Sequence, residues 1–394
     1  MGSSNSTKST MSERWTDLLG RLAERHLKRE LRTVERSGAV IKRNGATLIN
    51  LASNDYLGLA SDLRLITAAQ LALERYGVGA GASRLLAGNF SIHEELEVEI
   101  AKFKRTEAAL VFSSGYATNI GVLTALAKPH DYIYLDELVH ASIHDGARLS
   151  GAQVERFRHS DVDDLEHRLK TNSSRGGRIV VTDGVFSMDG ELAPLPDLVA
   201  VCERYDALLV VDDAHGTGVV GPKGRGTVAY FDLEDRVPVQ IGTLSKALGV
   251  QGGFVAGSKE LIQFLINRAR SFIYSTGIAP ALAAAALEAL RIAEKEDWRR
   301  CIIAEYRRLL MNDLRAKGYN VLGEAQAPML SVILGEPELA LNLSRQLEVA
   351  GAYAPAIRPP TVPRGTSRIR LAPIATHSSE QIETVLTAFP EIGK

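Results

Sequence analysis

The stretch Gly242-Thr243-Leu244-Ser245-Lys246-Ala247-Leu248-Gly249 follows an apolar run, Val237–Ile241, that has the length of a buried strand. A single lysine is usually a solvated surface charge. Lys246, however, stands between two glycines among apolar residues, and Gly252-Gly253 follows closely. Burial lowers the pKa of a lysine amine and makes it a nucleophile that can form a Schiff base. The stretch therefore predicts a strand that ends beside a reactive amine.

Apolar runs of the same kind recur through the middle of the chain, and stretches with helical spacing lie between most of them, such as Asn119–Ala127 and Leu195–Tyr205. The runs are apolar at consecutive positions, so both faces of each strand should be covered. This pattern predicts an α/β fold with a mostly parallel sheet and helices on both sides. The predicted strands are Ala109–Phe112, Tyr132–Leu135, Ile179–Thr182, Leu208–Val211, Val237–Ile241 and Gly252–Gly257.

The two ends of the chain have different patterns. Residues 1–10 are rich in serine and threonine and are interpreted as a leader outside the fold. The charge-dense segment Glu13–Arg36 predicts a helical arm. Beyond Pro280 the pattern predicts a smaller α+β C-terminal domain. Its predicted elements are a long helix from Ala281 to Ala316, strands at Met329–Leu334 and Ser367–Leu371, and helices at Leu339–Ala350 and Ser379–Phe389. The predicted divisions are 1–10 (leader), 11–60 (arm), 61–290 (large domain) and 291–394 (small domain).

Composition excludes several classes of protein. The 394 residues include 46 Lys and Arg and 47 Asp and Glu, so the formal net charge is −1, which argues against nucleic-acid and membrane-surface partners. Two cysteines, Cys202 and Cys301, are too few for a disulfide framework and predict a cytoplasmic protein. The longest apolar stretch, Ile278–Leu287, is interrupted by Pro280 and is too short to span a membrane.

Polar residues follow three of the predicted strands, and in parallel sheets ligands bind at the carboxyl ends of strands. Asp212 and His215 follow one strand, Lys246 another, and Ser114-Gly115 a third. Taken alone, an aspartate at the end of a strand is usually a turn residue, and a serine before a helix is usually an N-cap. Together they suit pyridoxal 5′-phosphate (PLP): an amine for the aldehyde, a carboxylate for the ring nitrogen, and a helix N-terminus for the phosphate.

These residues lie in stretches by which the chain resembles the α-oxoamine synthase family of fold-type-I PLP enzymes. The resemblance extends from about residue 25 to the end and is carried by Ala52–Gly58, Gly79–Arg84, Thr182–Gly190, Val211–Gly218 and Gly242–Ala247. It implies a large PLP-binding domain with a smaller C-terminal domain, and a homodimer.

The resemblance also implies roles for individual residues. Lys246 would hold the cofactor and move the α-proton of the amino acid, and Asp212 would pair with the ring nitrogen. His215 would contact the ring hydroxyl, and His140 would stack on the ring. Further cofactor contacts are implied for Gly115, Tyr116, Ser187 and Thr243, and for Thr276 from the other subunit.

For the substrates, the resemblance implies that Arg370 binds the amino-acid carboxylate, with Asn54 close by. Bidentate binding of a carboxylate favours arginine over lysine. Arg368 is expected to be structural. Arg29 and Thr361 match positions that touch the acyl substrate.

Within the family, the proline-containing segment Ala356–Pro363 is similar to members that use a pimeloyl thioester. The implied reaction condenses L-alanine with a pimeloyl thioester, carried on coenzyme A or an acyl carrier protein, and releases CO2 in biotin synthesis. Alternatives are glycine C-acetyltransferase, another family member with a different amino acid or acyl-CoA, and a fold-type-I aminotransferase. Glu137, His140 and His144 superficially resemble a metal site, but no third strong ligand is near in sequence, and we predict none.

Overall fold

A computed structural model of the chain describes residues 10–35, 38–172 and 176–392. The helices are α1 (Met11–Glu24), α2 (Leu63–Tyr76), α3 (Ser91–Lys104), α4 (Gly115–Leu126), α5 (Ala141–Ser150), α6 (Val162–Thr171), α7 (Leu195–Arg204), α8 (Thr227–Tyr230), α9 (Lys259–Arg268), α10 (Arg270–Ile273), α11 (Pro280–Lys295), α12 (Asp297–Ala316), α13 (Pro337–Val349) and α14 (Ser379–Ala388). The strands are β1 (Val40–Arg43), β2 (Ala46–Asn50), β3 (Ala108–Phe112), β4 (Tyr132–Asp136), β5 (Gln153–Phe157), β6 (Arg178–Asp183), β7 (Leu208–Asp212), β8 (Val239–Thr243), β9 (Gly253–Gly257), β10 (Asn320–Leu322), β11 (Leu330–Gly335), β12 (Ala352–Tyr353), β13 (Ala356–Ile357) and β14 (Ser367–Leu371).

The large sheet has the strand order β3-β9-β8-β7-β6-β4-β5. From β8 to β5 the neighbouring strands are parallel, while β9 is antiparallel to both β3 and β8. The predicted α/β architecture with a mostly parallel sheet is confirmed. Each predicted strand of this sheet is present, with ends that differ by one or two residues.

The central strands are buried on both faces, as their continuous apolar runs predict. Val180 and Val181 of β6 and Val210 and Val211 of β7 are completely buried in the core of the large sheet. Full burial of such a side chain stabilises the fold by about 1.5–3 kcal/mol. The resulting rigid sheet fixes the positions of the residues that follow each strand.

The carboxyl ends of these strands meet at one edge of the sheet. Strands β6, β7 and β8 end at Asp183, Asp212 and Thr243, and Asp183 lies directly opposite Asp212 in the register of β6 and β7. On the same side, β3 leads to Ser114, whose side chain caps α4. This edge brings together the polar residues on which the sequence analysis depends.

The C-terminal part of the chain builds a second core on two small sheets, β10-β11-β14-β13 and β1-β2-β12. Strand β12 pairs with β2, so the N-terminal hairpin contributes Ile49 and Leu51 to the core of the C-terminal helices. The predicted elements at Ser367–Leu371 and Ser379–Phe389 are present as β14 and α14. The domain boundaries at residues 60 and 290 stay a prediction.

Some predicted elements differ from the structure. The arm helix ends at Glu24 instead of near Arg36, because His26 takes a left-handed conformation and Arg358 binds the backbone of the next residues. The predicted helix from Ala281 to Ala316 is two helices, broken at Glu296. Strand β5 was not predicted, because its polar residues are those of an exposed edge strand. Arg36 and residues 1–9 of the predicted leader lie outside the described residues.

Candidate active site

A cavity of about 260 Å³ lies at the carboxyl ends of β6, β7 and β8, beside the first turn of α4. A larger cavity of about 630 Å³ lies at the opposite ends of β6 and β7, but no predicted site residue lines it. We therefore place the candidate site in the smaller cavity. Its lining residues are Ser114, Gly115, Tyr116, Asn119, His140, Ser142, Asp183, Asp212, Ala214, His215, Thr243, Ser245 and Lys246.

One wall of the cavity is built for an anion. The side chain of Ser114 accepts a hydrogen bond from the backbone N–H of Ala117 at 3.1 Å, and the other N–H groups of the first turn of α4 face this wall. The hydroxyls of Thr243 and Ser245 lie 2.7 Å apart on the facing loop. Gly253 of β9 allows the first turn of α4 to pack close to the sheet, because a Cβ atom at Gly253 would lie 2.5 Å from the backbone nitrogen of Gly115.

Asp212 presents a buried carboxylate to the cavity. Its Oδ1 accepts from the backbone N–H of Ala214 at 3.0 Å, and its Oδ2 accepts from Nδ2 of Asn119 at 2.7 Å. The same Asn119 nitrogen donates to Oγ of Ser142 at 2.8 Å. These contacts hold the carboxylate in one orientation, where it can pair with a cationic ring nitrogen.

His140 is the N-cap of α5 and lines the same cavity as Lys246. Its Nδ1 accepts from the backbone N–H of Ser142 at 3.2 Å and lies 2.7 Å from Oγ of Ser142. Because Nδ1 is an acceptor, the neutral ring carries its proton on Nε2. Burial is the main cause that lowers the pKa of His140, and Lys246 adds to it while Asp212 opposes it.

Lys246 lies in the turn between β8 and β9, which the left-handed conformation of Gly249 permits. The N–H of Gly249 donates to the carbonyl of Lys246 at 2.8 Å, and Gly249 has φ +68° and passes close to the backbone of Ala60. Burial lowers the pKa of the Lys246 amine to about 8, with a further contribution from Arg370, although Asp212 and Asp183 oppose the shift. At pH 7 about a tenth of this amine is therefore the neutral nucleophile, far more than in an unperturbed lysine.

His215 connects the cavity to the small domain through a buried tyrosine. Nδ1 of His215 lies 2.7 Å from the hydroxyl of Tyr56, and Nη2 of Arg370 donates to that hydroxyl at 2.7 Å. Nη1 of Arg370 donates to Oδ1 of Asn54 at 2.9 Å. Arg370 is buried, forms no ion pair within the described residues, and its Nε has no partner there. The structure thus brings Asn54 and Arg370 together and leaves a buried cation available for an anionic group.

Other predicted residues lie outside the cavity lining. Ser187 is half-buried in the turn after β6, and Thr276 is exposed, where it forms a bridge with Ser83. Nη2 of Arg29 donates to Oγ1 of Thr361 at 3.0 Å, so these two residues meet although 332 positions separate them.

Arg368 has a different environment from Arg370. It is buried, and its Nη1 donates to Oδ1 of Asp189 at 2.5 Å and to the carbonyl of Met188 at 3.0 Å. Its charge is therefore already paired, as expected of a structural residue.

The sequence analysis missed five polar residues of the site. Asn119 and Ser142 lie inside helices α4 and α5, where a single polar residue gives no signal in a sequence. Asp183, Ser245 and Tyr56 stand in stretches that carry the family resemblance, but no role was assigned to them. Four of the five, Tyr56, Asn119, Ser142 and Asp183, are buried in the structure, where polar groups require partners, whereas Ser245 is exposed.

Residues 10–35, 38–172 and 176–392 contain neither a metal-binding cluster nor a membrane-spanning helix. No group of three or more His, Cys, Asp or Glu residues there could hold a metal ion. No helix in these ranges is both long enough and apolar enough to cross a membrane.

Comparison with known proteins decides the family. Residues 46–389 match the model of the aminotransferase class I and II family. The chain belongs to the aminotransferase class I and II family. Within this family, it is 44% identical to 8-amino-7-oxononanoate synthase of Lysinibacillus sphaericus, with 98% of this chain and 99% of the relative covered. It is 47% identical to 8-amino-7-oxononanoate synthase 2 of Bacillus subtilis, with 95% and 96% covered.

A comparison with solved structures supports the same fold. Serine palmitoyltransferase from S. paucimobilis is 32% identical and superposes with a TM-score of 0.92, with 97% of this chain and 98% of that chain covered. The predicted resemblance to the α-oxoamine synthases and the predicted fold type I are confirmed.

Proposed function

We propose that the chain is a PLP-dependent 8-amino-7-oxononanoate synthase of biotin biosynthesis. It condenses L-alanine with a pimeloyl thioester and releases CO2 and the free thiol. Relatives of that name are 44–49% identical over nearly the whole chain. The single observation that carries the proposal is that Lys246 and the buried carboxylate of Asp212 line one cavity, and that Arg370, a cation with no ion pair among the described residues, is linked to it through Tyr56 and His215.

The residues of the cavity fit PLP. The first turn of α4 and the hydroxyls of Ser114, Thr243 and Ser245 suit the phosphate, and Asp212 suits the protonated ring nitrogen. Gly115 and Tyr116 would lie beside the phosphate and ring, and His140 against the ring face. When bound, this cofactor supplies an electron sink for the carbanion that the condensation requires.

The residues of this chain would perform the remaining steps. Lys246 Nζ would hold the cofactor aldehyde and, once alanine replaces it, would take the α-proton at an amine whose pKa of about 8 suits proton transfer near neutral pH. Arg370, with Asn54, would bind and orient the alanine carboxylate, which CO2 release later removes. Asp212 would keep the ring nitrogen protonated throughout, because its carboxylate is fixed by Asn119 and Ala214.

The acyl donor would approach from the side of the N-terminal arm. Arg29 and Thr361 are in contact there, and Arg29 is a cation that suits the free carboxylate of a pimeloyl chain. The carrier would be coenzyme A or an acyl carrier protein. Of the other roles implied by the family, contact of Ser187 with the cofactor also belongs to this proposal.

A homodimer is part of the proposal. Large apolar side chains are exposed on α1 and in the segments joined by the Ser83–Thr276 bridge, among them Trp15, Leu86 and Tyr274. Exposed apolar patches of this kind mark protein interfaces. Thr276 is exposed in the same region and would reach the phosphate of the partner subunit. Two free cysteines agree with a cytoplasmic enzyme.

The test is mass spectrometry of the product formed from L-alanine and pimeloyl-CoA or a pimeloyl carrier protein. The expected product has the mass of 8-amino-7-oxononanoate and appears with one equivalent each of CO2 and free thiol. Serine with palmitoyl-CoA, and glycine with acetyl-CoA, serve as competing substrate pairs. Lys246→Ala is the inactive control. Product from a competing pair alone would replace this assignment by another α-oxoamine synthase, and pyruvate from alanine without CO2 would indicate an aminotransferase.

A further inference from the structure

Tyr56 lies between the two halves of the site. It is fully buried, and its hydroxyl contacts three side chains: Nη2 of Arg370 at 2.7 Å, Nδ1 of His215 at 2.7 Å and Oδ1 of Asn54 at 3.2 Å. Arg370 is the cation for the amino-acid carboxylate, and His215 lines the cavity. No other described side chain bonds to both Arg370 and His215.

The direction of these hydrogen bonds follows from the chemistry of the donors. Arginine has only donors, so the Tyr56 hydroxyl must accept from Arg370. The hydroxyl has a single proton, and Oδ1 of Asn54 already accepts from Nη1 of Arg370. Of the two acceptors that the hydroxyl can reach, Nδ1 of His215 at 2.7 Å is closer than Oδ1 of Asn54 at 3.2 Å, which favours donation of the proton to His215 over donation to Asn54. A neighbouring guanidinium strengthens the phenol as a donor.

We propose that Tyr56 is a positioning residue that donates its hydroxyl proton to Nδ1 of His215 and thereby couples the carboxylate site at Arg370 to the ring site. His215 then carries its own proton on Nε2, which has no partner among the described residues and belongs to the cavity wall. In this tautomer His215 donates to an anionic ring oxygen, whereas the other tautomer could only accept. This inference rests on the proposed function for the identity of the two ligands.

Charges around His215 favour the neutral ring that this arrangement needs. Burial lowers the pKa of His215 well below its usual value, and the nearby Lys246, Arg370 and His140 lower it further. A neutral imidazole has one proton, so the position of that proton decides whether the cavity receives a donor or an acceptor. The Tyr56 hydroxyl determines that position.

The experiment compares Tyr56→Phe with Tyr134→Phe. Tyr134 is also fully buried, and its hydroxyl accepts from Asn172 at 2.9 Å, outside the site, so this variant controls for loss of a buried hydroxyl. The first measurement is ¹⁵N NMR of histidine-labelled protein without cofactor. Wild type and Tyr134→Phe are expected to show His215 protonated on Nε2 alone, and Tyr56→Phe a mixture of tautomers. Protonation of Nδ1 in wild type would overturn the proposal.

The second measurement uses the protein with bound PLP. In Tyr56→Phe we expect the pH midpoint of the cofactor's visible absorbance to rise by about one unit, and the dissociation constant for alanine to rise about tenfold. Unchanged values in a folded Tyr56→Phe protein would refute the coupling. The NMR result does not depend on the reaction, so a wild-type enzyme that makes no 8-amino-7-oxononanoate would refute the proposed function and leave the tautomer assignment intact.

Discussion

Asp183 and Asp212 lie directly opposite each other at the carboxyl ends of the parallel strands β6 and β7. Both are buried, and two buried carboxylates side by side do not both ionise. Burial first, and then the neighbouring charge of Asp212, raises the pKa of Asp183 well above its usual range. Asp212 has two N–H donors that stabilise its charge, from Asn119 and Ala214. The register of the sheet thus places the two carboxyl groups in different environments: that of Asp183 favours its protonated form, and that of Asp212 supplies two N–H donors to its oxygens.

This difference predicts opposite outcomes for two substitutions of the same type. Asp183→Asn introduces a neutral amide where the environment already favours the protonated carboxyl group, so turnover should change less than about threefold. Asp212→Asn and Asp212→Ala remove the charge opposite the ring and should lower turnover by about 10²–10³. Steady-state kinetics with alanine and a pimeloyl thioester, with circular dichroism to verify folding, provide the measurement. Equal losses in Asp183→Asn and Asp212→Asn would contradict the assignment.

The sequence predicted a role for Asp212 but not for its neighbour Asp183. Asp212 and Lys246 follow apolar runs that are visible in the sequence, and strand ends of a parallel sheet share one edge. The pairing of Asp183 with Asp212 depends on β6 and β7 being neighbours and on their exact register, which the local sequence does not specify. Asn119 and Ser142 depend in the same way on the packing of α4 against α5.

Away from the cavity, the sequence predicted contacts and short strands less well, for a different reason. The family resemblance assigned Arg29 and Thr361 to the acyl substrate, but their contact with each other was not predicted, because no periodic pattern relates an irregular arm to a segment 332 positions later. The hairpin β1–β2 was missed although it joins the small-domain core. Its strands are four and five residues long, too short for a distinct alternation.

His377 predicts a loss of stability in acid. It is buried, its Nδ1 accepts from the N–H of Ile374 at 3.0 Å, and its Nε2 bonds to the carbonyl of Ala39 at 3.1 Å. Burial lowers the pKa of His377 to about 4. Below pH 6.5 the unfolded chain binds a proton that the folded protein does not. Stability therefore falls between about pH 6.5 and 4, by up to ~3 kcal/mol from this residue.

His377→Asn retains an acceptor near the position of Nδ1 but does not titrate. Urea unfolding at pH 7.5 should show a larger free energy of unfolding for the wild type than for His377→Asn. At pH 5 this difference in free energy should be smaller by about 1–2 kcal/mol. A difference that stays constant with pH would contradict the account of a buried neutral histidine.

His159 predicts the opposite pH dependence. Its ring bridges Oδ1 of Asp136 at 2.9 Å and Oε2 of Glu191 at 3.1 Å. Burial lowers the pKa of His159, but the bonds with the two carboxylates outweigh burial and raise the pKa to about 10. The folded protein thus holds a proton that the unfolded chain releases above pH 6.5. The stabilisation is complete below pH 6.5 and is lost as the pH rises towards 10.

His159→Gln should therefore be less stable than wild type by about 2 kcal/mol at pH 6.5, and the difference should decrease towards pH 9.5. Unfolding in urea at the two pH values measures the difference in free energy of unfolding between His159→Gln and wild type. His377→Asn is the matched comparison, because over this range its difference from wild type should not change. A His159→Gln difference that grows with pH would reverse the sign of the argument.

Arg370 and Arg368 stand two positions apart on β14 and allow a test of which cation binds the substrate. Arg368 is already paired with Asp189, whereas Arg370 has no ion pair among the described residues and a free buried Nε. A carboxylate held by a guanidinium through two parallel hydrogen bonds is not held equally well by an ammonium. Arg370→Lys should therefore raise the KM for alanine about 10–100-fold and leave the melting temperature nearly unchanged. Arg368→Lys should lower the melting temperature by several degrees, because a buried ion pair is weakened, and change that KM less than about threefold.

Kinetics with varied alanine at saturating thioester, together with thermal unfolding of both variants, separate the two effects. If Arg368→Lys instead raised the KM as much as Arg370→Lys, the carboxylate would bind between the two arginines, and the ion pair with Asp189 would have to open when alanine binds.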